Sequence, residues 1–215
     1  LHWWMLLFAT AILCGLAAGV LKWPALVSLA ALVLFAVLAT REQTKPGARI
    51  AFATLAALIT LALAFHRLPA FDNPILIKGA QFSADAAPYT QWANFDKAAA
   101  GLILLAFFCR RASTKAEWRE VLARIIPIAL LTAAVVIAGA MLVGYVKPSF
   151  KLPEYTPIFL VTNLLFVCVA EEAFFRGFLQ NRLVYGERDR FDSVRRQRQF
   201  VLGERLLKGL AHCRA

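Results

Sequence analysis

The chain has 215 residues, of which 60% are hydrophobic and 17% charged, and its mean hydropathy is +0.65. A soluble domain is usually about half apolar and about a quarter charged, so this composition excludes an ordinary soluble protein. The net charge of +11 would by itself suggest a nucleic-acid partner. In so apolar a chain, basic residues instead flank membrane helices and meet anionic lipid. We therefore predict the lipid bilayer as a partner and no nucleic acid.

Six apolar segments approach the roughly 20 residues with which a helix crosses a bilayer. In chain order they are 3–21, 24–39, 50–65, 98–109, 125–146 and 158 onward. The fourth segment is short, and the second and third are marginal in length. The predicted fold class is all-α, a polytopic transmembrane helical bundle with about six spans in this chain.

The distribution of basic residues predicts the orientation. With a cytoplasmic amino terminus, the inner segments 41–49, 110–124 and 176 onward hold 18 of the 24 Lys and Arg residues. Cytoplasmic loops usually carry this excess. We therefore predict a multi-pass protein of the inner or plasma membrane, with the end of the sixth span in the cytoplasmic half.

Two connecting segments carry local signals. Thr114 and Glu117 have the spacing of a capping box, which predicts an amphipathic helix on the inner surface before the fifth span. The outer segment 66–97 contains three prolines among five aromatic residues, and we predict a loop lying at the membrane interface. His66 falls at the end of the third predicted span, where an interfacial position is the default expectation.

The sixth apolar segment ends in the charged motif Ala-Glu-Glu-Ala-Phe-Phe-Arg-Gly at 170–177. A carboxylate at membrane depth is costly and is by default a functional-site hypothesis. Glu172 and Arg176 are four positions apart, so they can pair on one helix face. Such a pair alone would only mark the helix end. Glu171 has no basic residue three or four positions away, and this second acid favours a functional interpretation.

Two neighbouring carboxylates in apolar surroundings can support hydrolysis. Burial, a like charge and a guanidinium act on a carboxyl group in opposed directions, so one glutamate can stay ionised. That glutamate can take a proton from water. The other can hold a proton, orient the water or pair with Arg176. Attack on an amide also needs donors for the developing oxyanion, and the motif contains none.

The motif resembles the first motif of the CPBP family of intramembrane endopeptidases. This family includes type II CAAX prenyl proteases and bacterial Abi and bacteriocin-processing proteins. The resemblance is carried by Glu-Glu-x-x-x-Arg within AEEAFFRGFLQNRL at 170–183. It implies that Glu171 activates water, with Glu172 and Arg176 beside it. The implied substrate is a membrane-associated or prenylated CAAX-type protein, or a bacteriocin-like peptide.

The same resemblance leaves the cofactor open. Members of the family have been described both as metalloproteases and as glutamic peptidases, so zinc is admitted by the resemblance. The sequence has no His-Glu-x-x-His motif to support zinc independently. Its four cysteines form no close pair either, which disfavours a Cys-x-x-Cys metal site.

The sequence also departs from the family pattern. The second motif of the family, Phe-x-x-x-His, is matched only by His212, with Lys208 in place of phenylalanine. The third motif of the family, His-x-x-x-Asn or Asp, is not found in this sequence. His212 is therefore a weak catalytic candidate. We expect a transmembrane domain at 1–184 that forms the first part of a peptidase domain. We expect 185–215 to be a basic cytoplasmic tail that is truncated or frame-shifted, and the 215-residue chain by itself to be weakly active or inactive.

Two other functions remain open at this point. Intramembrane acids also bind cations or protons in transporters, so the chain could be a transporter subunit. It could also be a non-catalytic membrane partner that confers immunity by binding. Replacing Glu171 by Gln separates the three interpretations, because it should abolish proteolysis, alter ion flux or leave binding intact.

Overall fold

The computed structural model describes residues 3–83, 86–109, 112, 114–149 and 151–182. Over these ranges the chain forms six helices and one two-stranded sheet, so the predicted helical bundle is confirmed. The elements in chain order are α1 Trp3–Ala17, α2 Trp23–Thr40, α3 Pro46–Ala64, β1 Ile75–Ala80, β2 Tyr89–Trp92, α4 Phe95–Phe108, α5 Lys115–Leu142 and α6 Thr156–Gln180. The predicted tail at 185–215 lies outside the described residues.

Four of these helices, α2, α3, α5 and α6, are long and apolar enough to cross a membrane by length and composition. The other two are shorter: α4 has 14 residues, and the apolar part of α1 is Met5–Ala17. The six predicted spans thus correspond to six helices. The segment predicted as short, 98–109, is the short helix α4.

The helices begin where the sequence favours a helix start. Pro24 and Pro46 lie in the first turns of α2 and α3, where the missing proline N–H leaves no bond unmade. At α5, the hydroxyl of Thr114 accepts a hydrogen bond from the backbone N–H of Glu117 at 3.1 Å, as the capping box predicts. The predicted surface helix and the fifth span are one continuous helix, because Pro127 lies inside α5 without ending it.

Helix α4 lies at the centre of the bundle and packs against α2, α3 and α6. The core that these four helices share is rich in alanine, which lets helix backbones approach closely. Its fully enclosed members include Leu32, Ala36, Ala56, Leu63, Ala100 and Leu104. In contrast, α5 buries none of its residues against the described part of the chain.

A β-hairpin occupies part of the segment predicted to be an interfacial loop, and that prediction is corrected here. Strands β1 and β2 pair antiparallel with irregular register, and Ile77 of β1 is buried. The runs Ile-Leu-Ile and Tyr-Thr-Gln-Trp carry the branched and aromatic residues typical of strands. The Nε2 amide of Gln91 in β2 donates to the hydroxyl of Thr162 in α6 at 2.5 Å. The hairpin therefore contacts α6 near the amino-terminal end of that helix.

Candidate active site

The helix that carries the glutamates is irregular on both sides of them. Within α6, the α-helical stretch Thr156–Thr162 is followed by the π-helical turn Asn163–Cys168, the α-helical turn Val169–Glu172 and the π-helical Ala173–Gln180. The π-helix is rare and frequently occurs at functional sites. Both glutamates thus lie in a short α-helical turn between two wider turns.

Small residues bring α6 against α4 next to the glutamates. A Cβ added at Gly101 of α4 would overlap the Cα and Cβ of Ala170, the residue that precedes Glu171. Seven residues further along α6, a Cβ added at Gly177 would overlap the sulfur of Cys109, which directly follows α4. Ala170, Ala173 and Gly177 are buried, so they form the α6 face that contacts α4. This close contact determines where the acidic pair lies relative to α4.

Glu171 pairs with a lysine that the sequence analysis did not connect to it. The Nζ atom of Lys97, in the first turn of α4, donates to Oε1 of Glu171 at 2.7 Å. The lysine side chain is 18% exposed and that of Glu171 is 50% exposed. The expectation that Glu171 lacks a basic neighbour holds only along its own helix, because packing brings in a cation from α4.

Glu172 makes the predicted ion pair with Arg176. The Nε atom of Arg176 lies 3.0 Å from Oε2 of Glu172, four positions away on the same helix. Successive residues of a helix are about 100° apart around its axis. The two glutamates therefore diverge: Glu171 reaches across to α4, whereas Glu172 stays on the surface of α6.

A buried carboxylate, Asp96, lies beside Lys97 and was also missed. Asp96 is 1% exposed, and its Oδ1 accepts from the Nδ2 of Asn73 at 3.0 Å and from the backbone N–H of Lys97 at 2.9 Å. Its Oδ2 lies 2.6 Å from Nδ1 of His66. His66, expected only at an interface, thus ties the end of α3 to the start of α4. The sequence signal was an Asn and an Asp directly before an apolar segment, which is typical of a helix start.

The surroundings of the acids are apolar but are not closed by the described residues. The side chains of Glu172 and Arg176 are 57% and 73% exposed. Large apolar side chains are also exposed on the same helix within about two turns of the acids, among them Leu164, Leu165, Phe175 and Leu179. Apolar side chains are thus exposed on α6, and the predicted water-poor setting of the acids stays a prediction. His212, the fourth predicted site residue, lies outside the described part of the chain.

The described donors do not by themselves fit a metal ion. Across residues 3–182, apart from the gaps given above, no three His, Cys, Asp or Glu side chains come together as a metal site. Each glutamate already pairs with a cationic side chain, Lys97 or Arg176. The positive charges of these side chains would repel a metal cation bound at the same carboxylates. A zinc site built on this motif would need further donors, so no chemical step is assigned to a metal.

Residues 153–214 match the family model described as "Type II CAAX prenyl endopeptidase Rce1-like". This match supports the recognition of the CPBP family from the glutamate motif. The matched segment contains α6 and all four predicted site residues, His212 included. No curated protein and no solved structure matches the chain. The matched family is one of endopeptidases acting at the membrane, which supports a protease with a protein substrate there.

Proposed function

We propose that this protein is an intramembrane endopeptidase in which Glu171 acts as a general base on water. The single observation that carries the proposal is the pairing of two adjacent carboxylates with two different cations. Glu171 faces the largely buried ammonium of Lys97, and Glu172 faces the exposed guanidinium of Arg176. Two acids in different environments can take different roles in proton transfer.

The proposed reaction gives the two carboxylates different roles. Glu171 accepts a proton from a water molecule while the water oxygen attacks the carbonyl carbon of the scissile peptide bond. The resulting tetrahedral intermediate carries an oxyanion. Its collapse breaks the C–N bond, and the proton held by Glu171 passes to the leaving amine. Glu172, held by Arg176, orients the water or the substrate.

The proposed substrate is the peptide bond of a membrane-associated protein, of the prenylated CAAX type or a bacteriocin-like peptide. The family match supports a protein substrate at the membrane. The basic residues that follow α6 favour a cytoplasmic carboxyl end for that helix. A prenylated or otherwise apolar substrate would reach the uncovered apolar surface of α6 from within the lipid.

The proposal is tested with the purified chain in lipid nanodiscs and internally quenched peptides, one farnesylated and one of bacteriocin type. Removing a general base typically costs about 100- to 10,000-fold in rate, so Glu171→Gln should reduce even slow cleavage to background. Glu120→Gln is the control, since Glu120 is a glutamate of α5 that forms an exposed pair with Arg124 at 2.6 Å, outside the proposed site. It should keep the wild-type rate.

The outcome is read by mass spectrometry over long incubations, which also identifies the scissile bond. Cleavage that survives Glu171→Gln unchanged would overturn the assignment of the base. The sequence alone left weak activity or none as the expectation for the 215-residue chain, and the proposal commits to slow but measurable cleavage. No cleavage of either peptide above the Glu171→Gln background would therefore overturn the proposed activity of this chain.

A further inference from the structure

We propose that Lys97 is a positioning residue of this site, which holds one oxygen of Glu171 and leaves the other for water. The inference rests on the proposed function. It extends the site from the α6 motif to α4, which lies outside the matched segment 153–214. The contact consists of one ammonium group and one carboxylate, with 2.7 Å between Nζ of Lys97 and Oε1 of Glu171.

The burial of Lys97 makes this contact more than a surface ion pair. Its side chain is only 18% exposed. A charged ammonium removed from water is costly unless it is paired. Among the described residues, the hydrogen-bond and ion-pair partner of its Nζ is Glu171. The lysine therefore lies behind the carboxylate, on the bundle side, and Glu171 lies between it and the open surface.

The backbone from which Lys97 extends is itself fixed. Asp96 accepts the N–H of Lys97, binds Asn73 and faces His66, so the first turn of α4 is tied to the end of α3 and to the segment before β1. Asn73 in turn accepts the N–H of Phe95 through Oδ1 at 2.8 Å. Because the start of α4 is held at these points, the direction in which the lysine reaches is defined.

The consequence concerns the geometry of the base. With Oε1 held by Lys97, rotation of the carboxylate is restricted and Oε2 keeps a defined direction. Among the described residues, no hydrogen bond to Oε2 of Glu171 is present, so this oxygen is available to a water molecule. The Glu172–Arg176 pair differs, since both side chains are more than half exposed. Exposed pairs of this kind hold their geometry weakly. This difference favours Glu171 over Glu172 as the base.

The contact itself can be tested without activity. A membrane-permeant carbodiimide activates a carboxylate as an O-acylisourea. A neighbouring lysine that has lost its proton attacks the acyl carbon, forming an amide and releasing the urea. We expect a cross-link between Lys97 and Glu171, identified by mass spectrometry. The Lys22–Asp72 pair, at 2.8 Å, is the internal positive control. Failure of the Lys97–Glu171 cross-link to form while Lys22–Asp72 is linked would overturn the inference.

The positioning role is tested by kinetics. A misplacement of about 1 Å can cost about 100-fold in rate, so Lys97→Met should lower kcat by about that factor and leave KM unchanged. Lys97→Arg should restore most of kcat, because a guanidinium can still hold one oxygen. Lys78→Met, at an exposed position of β1, is the matched control and should behave as wild type.

The outcomes separate this inference from the proposed function. If the wild type cleaves, Glu171→Gln does not and Lys97→Met retains the wild-type kcat, Lys97 has no positioning role while the peptidase proposal stands. A rise in KM with unchanged kcat would likewise overturn the inference, since it would place Lys97 in substrate binding. If the wild-type chain cleaves neither peptide, the proposed function fails, and the role of Lys97 fails with it.

Discussion

Replacement of Gly101 by alanine tests the helix contact that places the acidic pair. The added Cβ would overlap the backbone Cα of Ala170, which is not the flexible end of a side chain and cannot move aside alone. Carbon atoms in contact prefer a separation of about 3.5–4.0 Å, so α4 and α6 must move apart. Overpacking of this kind typically costs about 1–3 kcal/mol.

The movement should also reach the site. If the helices separate by about 1 Å, the 2.7 Å contact between Lys97 and Glu171 lengthens beyond hydrogen-bond distance. We therefore expect Gly101→Ala to lower the carbodiimide cross-linking of this pair as well as the stability of the protein. The loss of cross-linking should be specific, with the Lys22–Asp72 control unchanged.

The control is Gly139→Ala in α5, where an added Cβ meets nothing within 4 Å. Alanine is favoured over glycine in a helix by about 1 kcal/mol at both positions, so the difference between the two variants isolates the packing cost. Both are measured by thermal and denaturant unfolding in the same detergent. Equal stability of the two variants, with equal cross-linking, would show that α4 and α6 are not in this contact.

Two further predictions concern the network and the cofactor. Asp96→Ala removes a buried acceptor shared by His66, Asn73 and Lys97 and should destabilise the protein by about 3 kcal/mol. The control Asp72→Ala breaks only an exposed pair and should cost no more than about 1 kcal/mol. Equal unfolding midpoints for the two variants would refute the structural role of Asp96. Exhaustive chelation should leave peptide cleavage intact, because the proposed base is Glu171 and no proposed step passes through a metal. Loss of cleavage that zinc restores would replace the glutamate mechanism by a metal one.

The helical bundle could be predicted from the sequence because its signals are local. Apolar runs of the right length, prolines in first turns and the Thr114 cap each depend on neighbouring residues alone. The Glu172–Arg176 pair was predictable for the same reason, since four positions along a helix set its geometry. Local periodicity did not reveal the hairpin, because prolines and aromatics in that segment are equally typical of an interfacial loop.

The partner of Glu171 could not be predicted, because it depends on packing between distant elements. Lys97 is 74 positions away and reads as an ordinary charge flanking a membrane helix. Its role becomes visible only once Gly101 and Ala170 bring α4 and α6 together. Asp96 is hidden in the same way: an acid at a helix start is normally a cap, whereas here it is buried and joins two other segments.

In the proposed mechanism, the four charges of the site allow two acids to lie at the predicted membrane depth and still act. Glu171, Glu172, Lys97 and Arg176 sum to zero, so the resting cluster avoids the large cost of an unpaired charge in an apolar medium. In the proposed mechanism, proton transfer to Glu171 removes one negative charge and leaves the cluster with an excess positive charge. The attacked carbonyl becomes negative in the same step. The ammonium of Lys97 is then no longer balanced by its carboxylate, and it stabilises the oxyanion electrostatically. The lysine that holds the base therefore also stabilises the negative charge that the reaction creates.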